Sequence, residues 1–203
     1  MGKITDIKPQ ARNKSRVSVY IDGRFCCGLE KITAALHRLK IGDEIEPEEL
    51  ENAVSESESA SAFERAAKYL GVRPRTEKEI ADYLSQKGYS ETAVASAVEK
   101  LLVYGYVNDA EYCRMYVEAY RTKSGARKLE AELRQKGVPR EIIEEELEKL
   151  DDQTADATRV AEKWLSSHST DKRKLSAFLV GKGFRYDTVR EVVGELCERF
   201  DAD

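Results

Sequence analysis

The chain has 203 residues, of which 35% are charged and 41% hydrophobic, and its formal net charge is −4. Its composition is typical of water-soluble, helix-rich proteins, and it has no apolar run of about 18 residues that could span a bilayer. The first residues lack the apolar segment of a signal peptide, so we expect a cytoplasmic protein without a membrane partner. A sequence-independent DNA-binding protein usually carries net positive charge, so the overall charge does not predict attraction to nucleic acid.

Residues that commonly perform catalysis are scarce. The two histidines, His37 and His168, lie far apart in the chain, and the four cysteines include no CxxC pair. Neither a glycine-rich phosphate loop nor a GxSxG nucleophile motif occurs. We therefore predict reduced thiols and a protein that is not an enzyme, with no catalytic residue, no cofactor and no metal site.

The N-terminal part has the pattern of a small sheet. Ile4–Lys8 and Arg16–Ile21 alternate apolar and polar residues, and Asp22-Gly23 is a hairpin signal before Arg24–Leu29. We predict an antiparallel sheet of about three strands. A helix is predicted to follow over Glu30–Lys40, with one buried stripe made of Ile32, Ala35, Leu36 and Leu39.

A further helix is predicted to begin at Pro47, because proline is favoured in the first helical turn. The segment Ser55–Ser61, SESESAS, has the polar composition of a linker. The sequence therefore predicts a domain boundary near residue 58.

From residue 62 onward the chain contains an internal repeat anchored on Gly88, Gly137 and Gly183. Apolar residues stand at the same offsets from each glycine, namely eight and four residues before it and one, six, ten and thirteen residues after it. In the central copy these residues are Leu129, Leu133, Val138, Ile143, Leu147 and Leu150. The glycines are 49 and 46 residues apart, a period typical of helical repeats, and each should end a helix.

Three helices are predicted in each copy, at 63–71, 76–87 and 90–104, then at 109–121, 124–136 and 139–150, then at 154–167, 171–182 and 186–200. We predict an N-terminal strand and helix extension at 1–58 and three-helix repeats at 59–106, 107–152 and 153–203. Because one repeat alone buries little surface, neighbouring repeats should stack. The predicted fold is mainly α, with three tandem three-helix repeats forming an elongated curved body after a small β-hairpin and helix part.

A basic residue stands ten positions before each glycine, at Lys78, Arg127 and Arg173. A helix turns about 100° per residue, so this position points roughly 160° away from the first core position of its helix. Lys123 and Arg134 share this face in the central copy. The predicted partner-binding or DNA-binding residues are Lys78, Arg121, Lys123, Arg127, Lys128, Arg134, Lys172, Arg173 and Lys174. An ordinary solvated helix face is the alternative interpretation.

Charge is strongly segregated along the chain. Residues 1–40 carry a net charge of +6, 41–64 of −9, 111–140 of +4 and 141–158 of −7. Segregation of this kind suits a complementary protein surface at least as well as a nucleic acid.

Three stretches resemble the RecX family, bacterial regulators of the RecA recombinase. They are EIADYLSQKGY (79–89), GYVNDAEYCRMYV (105–117) and GARKLEAELRQKG (125–137). The resemblance extends over about residues 62–200, is weaker in the third copy, and makes the N-terminal part similar to a variable extension of longer members. It implies tandem three-helix repeats that lie in the groove of the RecA–DNA filament, oppose its extension and so lower ATP hydrolysis and strand exchange. It supplies no catalytic residues.

Two functions therefore remain open. The first is a monomeric negative regulator that binds the RecA filament, with weak contact to single-stranded or double-stranded DNA. The second is a direct DNA-binding protein that uses its three-helix units like helix-turn-helix modules.

Overall fold

The computed structural model describes residues 1–11, 13–150, 152–168 and 171–201. Its elements in chain order are β1 (Gly2–Pro9), β2 (Arg16–Ile21), β3 (Arg24–Glu30), α1 (Lys31–Leu36), β4 (Glu44–Ile45), α2 (Pro47–Leu70), α3 (Glu77–Gln86), α4 (Glu91–Val103), α5 (Asp109–Tyr120), α6 (Ala126–Gln135), α7 (Arg140–Glu148), α8 (Thr154–Leu165), α9 (Lys172–Gly181) and α10 (Tyr186–Asp201). Within the described ranges, no helix combines the length and the apolar character needed to cross a membrane.

The chain divides into two compact units. The N-terminal unit comprises Met1–Pro74 and Ile80–Val107, and the C-terminal unit comprises Arg75–Glu79 and Asn108–Asp203. The predicted class, mainly α with a small β part, is confirmed.

The sheet at the start of the N-terminal unit is antiparallel, in the order β3-β2-β1-β4. Asp22 and Gly23 connect β2 to β3 with φ values of 49° and 76°, the left-handed conformation that a tight hairpin turn requires. The three predicted strands are confirmed. The fourth, β4, was not predicted, because two residues are too short to show alternation. It pairs with β1 through Gly2 opposite Ile45.

The predicted stripe on the first helix is wrong. α1 has six residues and buries Thr33 and Ala34, whereas Ile32 and Leu36 are 67% and 64% exposed. The helix ends at Leu36, and it packs against β2, β3 and α2. The apolar pattern was counted over Glu30–Lys40, but the helix covers only Lys31–Leu36, so the pattern did not predict the buried face.

The predicted linker is also wrong, because α2 runs without a break through Ser55–Ser61. The polar residues of this segment have tertiary partners: Ser57 Oγ accepts a hydrogen bond of 2.6 Å from Glu30 N. The same helix places Ala53 in the core of the sheet and Ala62 in the core of the first three-helix group. One continuous helix thus serves both cores of the N-terminal unit.

The repeat positions form the predicted cores. In the first copy Ile80 and Leu84 are fully buried against α2 and α4, and Leu129, Leu133 and Ile143 are fully buried in the second copy. The third copy buries Leu175, Leu179, Phe184, Val189, Val193 and Leu196. Gly88, Gly137 and Gly183 adopt φ values of 84°, 85° and 88°, which confirms that each ends a helix as a left-handed residue.

A close backbone contact inside the C-terminal unit joins the start of α6 to the turn after α9. Gly125 N donates to Lys182 O at 2.9 Å, and Arg127 N donates to Gly183 O at 3.1 Å. A Cβ atom on Gly125 would lie 2.2 Å from Phe184 N. Glycine is required here because no side chain fits between the two backbones.

A similar contact, also within the C-terminal unit, involves the start of α3. Thr76 forms a capping box with Glu79, since Thr76 N donates to Glu79 Oε2 at 3.3 Å and Glu79 N donates to Thr76 Oγ1 at 3.1 Å. The Thr76 hydroxyl donates in turn to Lys136 O at 2.6 Å. Thr76 and Gly125 each precede their repeat glycine by twelve residues, so the same position makes the contact twice.

Replacing Gly125 by alanine should destabilise the C-terminal unit by about 1–3 kcal/mol, because the added methyl group overlaps backbone atoms. Gly181→Ala is the matched control, since a Cβ atom at that position has nothing within 4 Å. This control should be neutral or stabilising by up to about 1 kcal/mol. Chemical unfolding measures both, and an unchanged stability of the Gly125 variant would contradict the close contact.

Replacing Leu133 by alanine should cost about 2–5 kcal/mol, because its fully buried side chain leaves a cavity. Gln135→Ala, an exposed change on the same helix, should stay within about 0.5 kcal/mol of the unchanged protein. Thermal unfolding of the two variants compares them directly.

Candidate functional site

The predicted basic face lies at the start of α6 in the C-terminal unit. Lys123 stands in the turn before the helix, Arg127 in its first turn and Arg134 in its last, and all three are exposed as predicted. The helix start is held by Gln153, whose Oε1 accepts a hydrogen bond of 2.9 Å from Ala126 N. The backbone contact at Gly183 fixes Arg127 from the other side.

Three of the five predicted cations on and just before α6 form ion pairs within the protein. Arg134 pairs with Glu130 at 2.8 Å, and Lys128 lies 3.9 Å from Glu132. Arg121 lies 3.7 Å from the carboxylate of Asp156 and 3.9 Å from that of Glu118. Exposed pairs of this kind contribute only about 0–1 kcal/mol each to stability, but they reduce the charge that a partner meets.

Lys123 and Arg127 have no ion pair with any residue that the structure describes. Their positive charge is therefore the part of the predicted face that stays available to a partner. The i, i+4 spacing of Glu130 and Arg134 was the signal in the sequence that could have separated Arg134 from them.

Arg127 borders a cleft of about 460 Å³ that has charges of both signs. The cleft is lined by Arg127, Arg185 and three glutamates (Glu130, Glu144 and Glu148), with Ala126 and Leu147 as its apolar part. Arg185 was not predicted, because it enters from the start of α10, far away in sequence. A surface with mixed charges at this density favours a protein segment of complementary charge over a uniform polyanion.

A smaller cleft of about 200 Å³ includes Ala126, Leu147 and Arg185 together with Gln153. The Gln153 side chain is only 8% exposed, and its Nε2 has no acceptor among the residues described. Buried amide groups normally have hydrogen-bond partners, so an enclosed donor without one is unusual.

The remaining predicted residues do not join this group. Lys78 is exposed, and its aliphatic chain packs over Gly137, where a Cβ atom would lie 2.4 Å from Lys78 Cβ. Lys172 and Arg173 begin α9, whereas Arg127 contacts the turn beyond the other end of that helix. Ten helical residues separate the two groups by about 15 Å. The nine predicted residues are therefore not one cluster.

The start of α9 has its own electrostatic arrangement. Asp171 caps the helix by accepting hydrogen bonds from Lys174 N at 3.1 Å and Arg173 N at 2.9 Å, and these bonds lower the pKa of its carboxyl group. Lys174 Nζ lies 3.7 Å from the same carboxylate. Lys172 and Arg173 have no ion pair in the described part of the chain.

A row of tyrosines on α5 was missed from the sequence. Tyr112, Tyr116 and Tyr120 follow one another at a spacing of four, with ring centroids 6.1 and 4.6 Å apart. Lys136 Nζ lies over the first two rings, at 5.8 and 5.6 Å from their centroids, and pairs with Glu79 at 3.3 Å. The i, i+4 spacing was the signal that could have predicted this row.

Two of the cysteines, Cys27 and Cys113, are poor nucleophiles because burial raises the pKa of their thiols. Cys113 is fully buried, and burial raises the pKa of its thiol to about 11. Burial and the neighbouring Cys26 raise the pKa of the Cys27 thiol to about 11 as well. No group of three or more His, Cys, Asp or Glu among the placed side chains could hold a metal ion.

Iodoacetamide at pH 7.5 should modify exposed Cys26 while leaving Cys27 and Cys113 largely unmodified, because a thiol of pKa near 11 is less than about one part in a thousand thiolate at that pH. Tandem mass spectrometry of the tryptic peptides locates the labels. Protein unfolded in urea should be labelled at all four cysteines. Rapid labelling of Cys113 in the folded protein would contradict its burial.

Comparison with known proteins gives the family. Three family models match, described as "Regulatory protein RecX N-terminal domain" at residues 2–46, "RecX, first three-helix domain" at 62–101 and "RecX, second three-helix domain" at 108–147. A "Regulatory protein RecX" of Clostridium botulinum (strain Eklund 17B / Type B) is 31% identical over 96% of both chains, and one of Clostridium perfringens (strain SM101 / Type A) is 33% identical over 97% of both. The chain belongs to the RecX family of regulatory proteins.

Solved structures support the same family fold. A crystal structure of a regulatory protein RecX matches with a TM-score of 0.73 at 24% identity, over 96% of this chain and all of that one. RecX from Lactobacillus salivarius matches with a TM-score of 0.63 at 27% identity, over 68% of this chain and 96% of that one. The RecX resemblance is thus confirmed. The match at 2–46 makes the N-terminal part a recognised RecX domain rather than a variable extension.

Proposed function

We propose that this RecX chain is a non-enzymatic cytoplasmic regulator that binds the groove of the RecA–DNA filament and limits its extension, ATP hydrolysis and strand exchange in recombination and DNA repair. The observation that carries the proposal is its similarity to regulatory RecX proteins over nearly its whole length. RecA is the partner that the family resemblance implies.

The proposed contact surface is the exposed start of α6 with its cleft. Lys123 and Arg127 supply positive charge without intramolecular ion pairs among the described residues, and the cleft beside Arg127 adds carboxylates and Arg185. A protein surface can place an opposite charge against each of these cations and carboxylates. We therefore propose that RecA subunits, rather than DNA phosphates, meet this face.

The charge on the third helix of the second copy argues against the alternative of helix-turn-helix DNA reading. The recognition helix of such modules enters the major groove between two phosphate backbones. In the second copy the corresponding helix, α7, carries five glutamates: Glu141, Glu144, Glu145, Glu146 and Glu148. Phosphates would repel these side chains, so the charges favour the filament proposal.

The double substitution Lys123→Glu and Arg127→Glu should weaken inhibition of the DNA-dependent ATPase of RecA by at least about tenfold, since losing two charged contacts costs more than about 1.4 kcal/mol. The assay titrates the protein against RecA on single-stranded DNA and compares half-inhibitory concentrations. Circular dichroism confirms that the variant is folded.

Lys163→Glu with Arg190→Glu is the matched control, because both residues are exposed, lie in the same unit, border neither α6 cleft and change the charge equally. Its inhibition should stay within about twofold of the unchanged protein, as expected for surface changes away from the contact. If both double variants lost inhibition equally, the loss would be due to the change in net charge, and the proposed surface would be rejected. No inhibition by the unchanged protein at equimolar amounts would reject the function itself.

A further inference from the structure

A second charged cleft lies within the N-terminal unit, where the sheet, α2 and the turn between α3 and α4 meet. Its volume is about 460 Å³, and its lining includes Arg16, Arg65, Lys87, Tyr89 and Glu58. The three cations come from three separate elements, β2, α2 and the Gly88 turn. This convergence requires the tertiary fold.

Two of these cations are positioned by aromatic rings instead of carboxylates. Arg65 Nε donates to Tyr89 Oη at 3.1 Å, and its guanidinium lies 5.9 Å from the centroid of the Tyr89 ring. Lys87 Nζ lies 5.4 Å from the centroid of the Tyr83 ring. Neither cation forms an ion pair with a described residue, so both side chains are ordered while their charge stays available.

The carboxylate of the cleft already accepts hydrogen bonds. Glu58 is the one carboxylate among the lining residues described, and it accepts hydrogen bonds from Ser90 N at 2.8 Å and Ser90 Oγ at 2.7 Å. Arg16 is neutralised by Glu30 at 3.1 Å. The available positive charge is therefore that of Arg65 and Lys87.

We propose that this cleft binds a single strand of nucleic acid, with Arg65 and Lys87 contacting phosphates. Unpaired cations in a groove are the groups with which proteins follow the backbone of a single strand. A cleft of this volume has the size of a small-ligand site, so a single nucleotide can enter it. This proposal adds to RecA regulation, because it assigns a ligand to the N-terminal unit, which the proposed RecA contact does not involve.

The test measures the fluorescence anisotropy of a labelled 20-nucleotide oligo-dT with the full chain, from about 50 to 200 mM salt. Arg65→Glu with Lys87→Glu should weaken binding by at least about tenfold, equivalent to losing about 1.4 kcal/mol. The slope of log affinity against log salt should fall by about 1.4, because each phosphate contact on single strands contributes about 0.7.

Arg73→Glu with Lys100→Glu is the matched control, since both residues are exposed in the same unit, lie outside the cleft and have no ion pair with a described residue. The control should bind within about threefold of the unchanged protein, since exposed changes elsewhere cost little. Equal weakening in both double variants would overturn the proposal. So would undetectable binding by the unchanged protein at about 50 mM salt, where phosphate contacts are strongest.

Two competitors test the type of ligand. Unlabelled duplex of the same length should compete much less well than the single strand, and millimolar dTMP or inorganic phosphate should not displace the oligonucleotide. Stronger competition by duplex, or full displacement by the small anions, would overturn the proposal.

The RecA ATPase assay separates this proposal from the preceding one. Weak oligonucleotide binding with retained inhibition of RecA by the Arg65 and Lys87 variant would support a strand site distinct from the filament contact. Strand binding that depends on these two residues would also support the cleft if the unchanged protein failed to inhibit RecA.

Discussion

The C-terminal unit depends on the direct approach of two backbones at Gly125 and Gly183. No side chain separates them, so the start of α6 and the turn after α9 are joined by hydrogen bonds between main-chain atoms. Main-chain contacts fix position more closely than contacts between long side chains, because no rotamer freedom remains. Arg127, two residues beyond Gly125, is therefore held on a rigid base, and its side chain reaches the neighbouring cleft from a defined point.

The positive charge that this RecX chain offers to a partner depends on which lysines and arginines form ion pairs within the protein. Arg134, Lys128 and Arg121 have carboxylates within 4 Å, whereas Lys123 and Arg127 have none among the described residues. In the N-terminal unit, tyrosine rings hold Arg65 and Lys87 without cancelling their charge. The net charge of −4 does not indicate either pair of unpaired cations, because it sums all charges whereas a partner contacts one surface at a time.

Helix α2 shows how polar sequence can be misread. Ser57 and Glu58 look like linker residues, but the first accepts a hydrogen bond from the end of β3 and the second accepts hydrogen bonds from Ser90, the residue that caps α4. Small and polar side chains let a helix approach its neighbours closely, and tertiary partners then satisfy them. The low apolar content of Ser55–Ser61 thus reflects a helix packed between two cores rather than a flexible connection.

The sequence alone determined the three-helix repeats, their buried positions, the hairpin and the helix-ending glycines, because these follow from local periodicity and from backbone preferences. The RecX resemblance was also visible in short stretches of sequence. Only the tertiary structure decided that α2 is continuous, that Arg127 shares a cleft with Arg185, and that Arg65 and Lys87 line one cleft. These features join residues distant in sequence, and the choice of partner for each charged side chain depends on which distant groups the fold brings within a few ångströms.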